Sequence, residues 1–273
     1  MFQYAAGRAL AAKFDAGLVL DILDYAHDTL RHYELNRLCV QCQIYTENAP
    51  KYLPRRPGRL QKLFVRLSGR RPRAVYWETG FSYNAAFETL RPPVYLDGYW
   101  QSERYFCDIA DILRREFSPA ALPSAANAAL LERIRADAGA VSLHVRRGDY
   151  VSNPVTAAYH GACSLEYYRR AVDHVAGRVT APHFYLFSDD PDWVRENLRL
   201  AHPCTVVDGN ADDGAADMAL MRACAHHVVA NSSFSWWGAW LGENPEKIVV
   251  APRHWFREPK DTRDLIPSQW IAL

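Results

Sequence analysis

Ala140-Val-Ser-Leu-His-Val-Arg-Arg-Gly-Asp-Tyr150 is the stretch on which the reading of the chain turns. Val141, Leu143 and Val145 alternate with Ser142 and His144, the pattern of a buried strand, and charge begins abruptly at Arg146. Working downstream, Ser164 can cap a helix through Leu165, Tyr168, Ala171, Val172 and Val175, whose apolar groups recur three or four apart. His183-Phe-Tyr-Leu-Phe187 reads as the next strand, and Asp190-Pro191 as the N-cap and first residue of a helix through Trp193, Val194 and Leu198. Cys204 to Val207 is a short strand, Ala215 to Ala225 a helix, His227 to Ala230 a strand, Ser233 to Leu241 a helix and Lys247 to Ala251 a strand. Strands and helices that alternate with short connections predict a parallel, doubly wound α/β sheet. Ligands of such sheets lie at the carboxyl ends of the strands, which singles out residues 146–150, 188–190, 208–210 and 231–235.

Upstream the pattern is less regular. Met1 to Phe14 has helical spacing, Leu18 to Ile22 reads as a strand, and Pro92-Pro93 precedes another short strand ending near Gly98. A proline-containing connector runs from Ser118 to Ser124 before a helix at 125–137. This places a domain boundary near residue 138 and predicts two domains, 1–137 and 138–273.

The 273 residues are 49% hydrophobic and 23% charged, which is ordinary globular composition. A formal charge of +1 argues against a nucleic-acid binder. No apolar run approaches the roughly 20 residues of a membrane span. Gln3 and Arg8 interrupt the start where a signal peptide would be apolar, so a cytoplasmic location is expected. Cys39 and Cys42 form a close pair without a second pair to complete a zinc site, and they are expected to be incidental and reduced. The near-neutral total hides an asymmetry. Residues 51–73 carry nine of the 32 basic side chains and no acid, leaving 23 bases against 31 acids elsewhere. Within that segment Leu60, Leu63, Phe64 and Leu67 fall on one helical face and Arg59, Lys62, Arg66 and Arg70 on the other. Such a helix can lie on an anionic membrane surface or pack as an ordinary surface helix.

Two segments carry chemistry. His144, Arg146, Arg147 and Asp149 stand at the end of a buried strand, where unpaired charge is costly. A diphosphate is a fitting partner, because the planar guanidinium matches phosphate oxygens bidentately. His144 and Arg146 share one strand face and Arg147 takes the other, so one arginine is expected on the ligand and the second on Asp149 or Asp190. The alternative is a knot of salt bridges at a domain interface. Asn231-Ser-Ser-Phe-Ser-Trp-Trp-Gly-Ala-Trp240 follows a strand, and its small residues at a helix start offer N–H and O–H donors to a phosphate. Trp236, Trp237 and Trp240 suit either a sugar-flanking surface or core packing.

With these residues in view, the chain resembles the α-1,2-fucosyltransferases (glycosyltransferase family 11), which are built around a H-x-R-R-x-D-Y motif. The similar segments are Met1-Phe-Gln-Tyr-Ala-Ala-Gly-Arg8, Arg31 to Leu35, Leu96-Asp-Gly-Tyr-Trp-Gln-Ser-Glu-Arg-Tyr-Phe106, His144 to Tyr150, Phe187-Ser-Asp-Asp190, Asn231 to Trp240 and Val250 to Pro252. The resemblance implies a GT-B architecture of two Rossmann-like domains facing across a cleft, with the donor on the carboxyl-terminal domain and the acceptor on the amino-terminal one. It implies inverting transfer of L-fucose from GDP-β-L-fucose, as co-substrate, to a glycan hydroxyl, α-1,2 to galactose, in surface polysaccharide synthesis. Neither a cofactor nor a divalent metal is implied, in keeping with the lack of an Asp-x-Asp motif in the donor half. Arg146 corresponds to the arginine on the diphosphate. His144, Arg147, Asp190, Asp217, Asn231, Ser232, Ser233 and Phe234 are the remaining expected donor groups. Asp149 is the first candidate for the base and Glu103 the second, and an oxocarbenium-like transition state needs little help from either.

Relatives in that family carry a strand and a G-x-G-N-Q segment ahead of the Met-Phe-Gln-Tyr stretch. The amino-terminal domain is therefore expected to lack its first strand and the chain to be poorly stable or weakly active. A lipid-diphosphate-linked acceptor would suit docking of 51–73 on the inner membrane face. The competing expectations are a fucosyltransferase of another linkage and a non-catalytic nucleotide-sugar-binding relative.

Overall fold

A computed structural model describes residues 1–26, 28, 32–45, 74–121 and 123–273. Arg31 and the basic segment 51–73, with its expected amphipathic helix, lie outside the described residues. The chain forms two compact units, Met1–Phe117 with Asp261–Pro267, and Ser118–Lys260 with Ser268–Leu273.

In the first unit, helix α1 (Phe2–Lys13) buries Phe2, Tyr4, Ala5, Ala6, Leu10 and Ala11 and ends with Lys13, a cation suited to the negative end of the helix dipole. Strand β1 (Val19–Leu20) pairs in parallel with β2 (Gln43–Ile44), and β3 (Val75–Trp77) with β4 (Tyr95–Asp97). The unit closes with α2 (Ala110–Glu116). The buried Glu116 carboxylate accepts from Tyr4 Oη at 2.6 Å and from Arg8 Nε at 3.0 Å, tying α2 to α1. Residues of α1, β1 and β4 also line a cavity of about 580 Å³. Trp100, only 1% exposed, lies at the centre of an aromatic cluster with Tyr76, Phe87 and Tyr105. Its φ of 59° is strained for a side chain of this size. Glu78 holds that turn by accepting the N–H groups of Tyr99 at 2.7 Å and Trp100 at 3.0 Å.

The second unit begins with α3 (Ala125–Ala136), capped by Ser124. Ile134 of α3 packs with Leu220 and Met221 on the later sheet's face, so this helix belongs with the sheet. The units accordingly divide at Phe117, some twenty residues before the position near 138 expected from the order of connector and helix. Strand β5 (Ala140–Val145) is buried along its whole length. After it come α4 (Gly148–Ser152), α5 (Pro154–Tyr159), α6 (Leu165–Ala176), β6 (His183–Ser188), α7 (Pro191–Asn197), β7 (Cys204–Val207), α8 (Gly214–Ala223), β8 (His226–Val228), α9 (Ser233–Leu241), β9 (Val249–Ala251) and β10 (Ile271–Ala272). Ser164, Asp190 and Asp213 cap α6, α7 and α8 through their side chains. On one face α6 buries Tyr167, Tyr168, Ala171, Val172 and Val175 against Val141, Leu143 and Val145. Each large side chain buried there stabilises the unit by roughly 1.5–3 kcal/mol.

The sheet is wholly parallel, in the order β10-β9-β8-β5-β6-β7. From β5 the chain builds outward through β6 and β7, then returns to the other side of β5 with β8. The order therefore reverses between β5 and β8. A crevice opens beyond the carboxyl ends of two strands whose connections leave in opposite directions, which is where such sheets bind ligands. The two segments singled out by sequence, 146–150 and 231–235, follow these two strands.

Candidate functional site

Val145 ends β5, and Arg146 and Arg147 emerge at the rim of the sheet. Arg146 donates from Nη2 to Asp149 Oδ1 at 2.6 Å, and its Nη1 lies 3.0 Å from Asp189 Oδ2. Arg147 faces the other way: its Nε donates to Asp190 Oδ2 at 3.1 Å, and its guanidinium lies 3.9 Å from the centre of the Trp193 ring. The alternation of the strand thus separates the two arginines. Arg147 is sandwiched against α7, whereas Arg146 sits at the start of α4 with its side chain 29% exposed. Asp189, which lies within the singled-out 188–190 but is not among the expected donor groups, links them. Its Oδ1 accepts the backbone N–H of Arg147 at 2.8 Å while Oδ2 faces Arg146. Gly148 allows this approach, because a Cβ there would overlap Asp189 Oδ2.

His144 is buried one residue pair below Arg146. Burial, reinforced by the nearby Arg146 charge, pushes its pKa down to about 3, so the ring is neutral at ordinary pH. Its Nδ1 has no hydrogen-bond partner, and its ring lies 5.6 Å from that of Phe234 in the first turn of α9. Ser232 is the N-cap of α9, but its hydroxyl does not bond back to the helix, and Ser233 is exposed. The first turn of α9 thus presents backbone donors beside a buried imidazole. At the far end of the helix, Lys247 Nζ donates to the carbonyls of Ala239, Trp240 and Gly242 at 2.8, 3.2 and 2.6 Å. This satisfies groups that the helix leaves open.

Asp217, in the first turn of α8, accepts from Asn210 Nδ2 at 2.8 Å. Burial raises its pKa to about 6, against the lowering effect of the Asn210 bond and with a smaller contribution from Asp213. Gly214, one turn earlier, faces the Phe234 ring, so α8 and α9 meet around Phe234.

Asn231, expected among the donor groups, is bonded to the surrounding loops. Its Nδ2 donates to the carbonyls of His160, Gly161 and Trp255, its Oδ1 accepts from Cys163, and its own carbonyl accepts from Tyr150 Oη at 3.0 Å. The side-chain amide of Asn231 thus ties together the loops around the strand end. The tryptophans resolve to core packing. Trp236, Trp237 and Trp240 are 0%, 1% and 6% exposed; Trp236 stacks on Trp240, Trp237 meets both edge-on, and Trp270 packs against Trp236. Glu103 belongs to the first unit, half-buried on the 3-10 turn Glu103–Tyr105. Among the described residues no group of three or more His, Cys, Asp or Glu could hold a metal ion. Among the same residues no helix is long and apolar enough to cross a membrane.

A guanidinium at a sheet switch point, with a helix N-terminus after the neighbouring strand and a neutral buried histidine close by, suits a polar, anionic ligand. Comparison with known proteins makes the class specific. Residues 85–273 match Glycosyl transferase family 11. An alpha-1,2-colitosyltransferase of Escherichia coli is 32% identical over 284 residues, covering 100% of this chain and 94% of that protein. The O-antigen biosynthesis glycosyltransferase WbnK of Escherichia coli is 39% identical over 139 residues, 50% of this chain and 45% of its own length. The galactoside 2-alpha-L-fucosyltransferase SEC1 of Bos taurus is 36% identical over 103 residues, 37% of this chain and 28% of that protein. The chain belongs to glycosyl transferase family 11, and it is a glycosyltransferase of the fucosyltransferase-like kind.

Proposed function

We propose that this enzyme transfers L-fucose from GDP-β-L-fucose to a hydroxyl of a glycan, α-1,2 to galactose, with inversion at the anomeric carbon. The observation that supports this most directly is the position of Arg146. It follows β5, beside the reversal of strand order, and α9 begins after the neighbouring strand β8. As the sugar–phosphate bond breaks, the bonding electrons pass to the diphosphate, and a preorganised cation stabilises that growing charge. The acceptor oxygen attacks the opposite face of the sugar and gives up its proton to a base, with Asp149 as first candidate and Glu103 as second. His144, whose ring lies beside Phe234, and Asp217, in the first turn of α8, are assigned to the nucleoside. Ser232 and Ser233 are assigned to the phosphates, and Arg147 with Asp190 to the support of Arg146's loop. On this reading the reaction runs without a divalent metal in a GT-B arrangement of the two units, donor on the second and acceptor on the first.

The test is release of GDP from GDP-fucose, with EDTA present, against a panel of galactose-terminated acceptors, followed by NMR analysis of the product linkage. Turnover that needs an acceptor and yields an α-1,2 linkage supports the reading. GDP binding without turnover would instead mark a non-catalytic relative, and a different linkage would revise the acceptor side. The whole-chain similarity to an alpha-1,2-colitosyltransferase favours a second reading in which the donor sugar is colitose. Competition between the two GDP-sugars in one assay decides between them. A lipid-linked acceptor on the inner membrane face belongs to the same proposal, tested by binding of the chain to anionic vesicles.

A further inference from the structure

Two guanidiniums at the end of β5 are matched by three carboxylates. Arg146 meets Asp149 at 2.6 Å and Asp189 at 3.0 Å, and Arg147 meets Asp190 at 3.1 Å. The cluster therefore carries one net negative charge, and a diphosphate arriving at Arg146 brings more. The two partners of Arg146 are not equivalent. Asp149 lies three residues on, in the first turn of α4, and its side chain is 17% exposed. Asp189 comes from the far side, after β6, with its side chain 25% exposed. It is held there by the Arg147 N–H and by the absence of a side chain at Gly148.

We infer that Asp189 competes with the diphosphate for Arg146, and that this competition sets how tightly the site holds GDP and how fast it lets GDP go. The inference builds on the proposed GDP-sugar reaction and adds a residue that works against binding. When the diphosphate occupies Arg146, the Asp189 carboxylate loses its ion pair and faces like charge. When GDP leaves, the pair re-forms. A cation strong enough to stabilise a departing diphosphate also retains it, and product release limits the turnover of many transferases. A built-in counter-ion relieves that retention, and does so most strongly once the sugar has left and the diphosphate carries its full charge.

Asp189→Asn isolates the effect, because Oδ1 can still accept the Arg147 N–H while the charge is gone. Calorimetry with GDP should show binding about tenfold tighter than in the parent, the scale expected when one partly exposed like charge is removed from beside a phosphate. Stopped-flow release of GDP should slow by a similar factor and kcat should fall with it, while KM for the GDP-sugar falls as well. A residue that only positions Arg146 would move affinity the other way. GDP binding that is weaker or unchanged in Asp189→Asn therefore overturns the inference. Gly148→Ala provides a second arm, since the added methyl group displaces the carboxylate from Arg146 with the aspartate still present. It too should tighten GDP binding, and it carries the test if Asp189→Asn does not fold, which thermal melting checks. A parent that binds no GDP would overturn the functional proposal itself, an outcome distinct from a parent that binds while its variants fail to tighten.

Discussion

Arg146 Nη2 and Asp149 Oδ1 lie 2.6 Å apart, which joins the cation proposed for the diphosphate to the carboxylate proposed as base. Each holds the other in place across the start of α4, Asp149 in its first turn and Arg146 just ahead of it. Arg146→Ala should lower kcat by about 100- to 1,000-fold, the loss seen when one preorganised donor to developing charge is removed. Far-UV circular dichroism should be unchanged, because Arg146 lies at the rim of the sheet and not in its core. The Arg146→Ala, Asp149→Asn double variant should be little worse than Arg146→Ala alone, because the two residues act as one unit. Steady-state kinetics on the four proteins checks this, and full additivity would contradict it.

Asp217 sits where function and stability pull apart. Its carboxyl has a pKa of about 6, raised mainly by burial, so its ionised form is destabilising in the fold at neutral pH. Asp217→Asn should stabilise the chain at pH 8 by about 1–2 kcal/mol and at the same time weaken GDP binding about tenfold if the carboxylate accepts from the base. Urea titration and calorimetry on the same samples read the two effects. Loss of stability in the variant would show that the charge is better compensated than its burial suggests.

Acid should unfold the second unit through its neutral histidines. His227 is fully buried, with Nδ1 2.8 Å from Ser142 Oγ, and burial holds its pKa well below the ordinary value, with the Lys247 charge adding to the effect. An unfolded histidine takes up a proton near pH 6.5 and the folded one does not, so the unfolded state binds more protons as the pH falls below that point. Stability is therefore complete above pH 6.5 and is lost below it, by about 1.4 kcal/mol per pH unit for each such histidine. His144 contributes in the same sense, down to its own pKa of about 3. The slope of unfolding free energy against pH between 6.5 and 4.5 should drop by about 1.4 kcal/mol per unit in His227→Asn. An unaltered slope would mean that His227 is protonated in the folded chain.

Lys247 links β9's approach to the end of α9. Replacing it with methionine keeps the stem but removes three charge-assisted bonds to the carbonyls of Ala239, Trp240 and Gly242. A loss of about 1–3 kcal/mol is expected, lowering the melting temperature by several degrees. GDP affinity should change little, because the lost bonds lie at the opposite end of α9 from Ser232. A large fall in affinity with an unchanged melting temperature would reverse that assignment.

Much of the second unit was legible in the primary structure because each element carries its own local signal. The alternation of Val141, Leu143 and Val145, the caps at Ser164 and Asp190, and the helical spacing from Tyr168 to Val175 require no knowledge of distant contacts. The helix read from 215 to 225 spans Gly214–Ala223, and the strand read from 183 to 187 spans His183–Ser188, differences of the size that fraying ends produce. The short helices Gly148–Ser152 and Pro154–Tyr159, and strand Ile271–Ala272, went unread, since two to six residues are too few for a period to show.

The amino-acid sequence was sufficient for the class of sheet, the two arginines on opposite strand faces and the family, because side-chain alternation and motif order are properties of the chain read locally. Only the tertiary structure decided that β8 returns beside β5, that Asp189 reaches across to both arginines, and that the Asn231 amide is engaged by three loop carbonyls. These pairings join residues from 24 to 85 positions apart in the chain. No local pattern encodes such pairings; they follow from the way buried strands must order themselves to satisfy their backbone hydrogen bonds and cover both faces of one sheet.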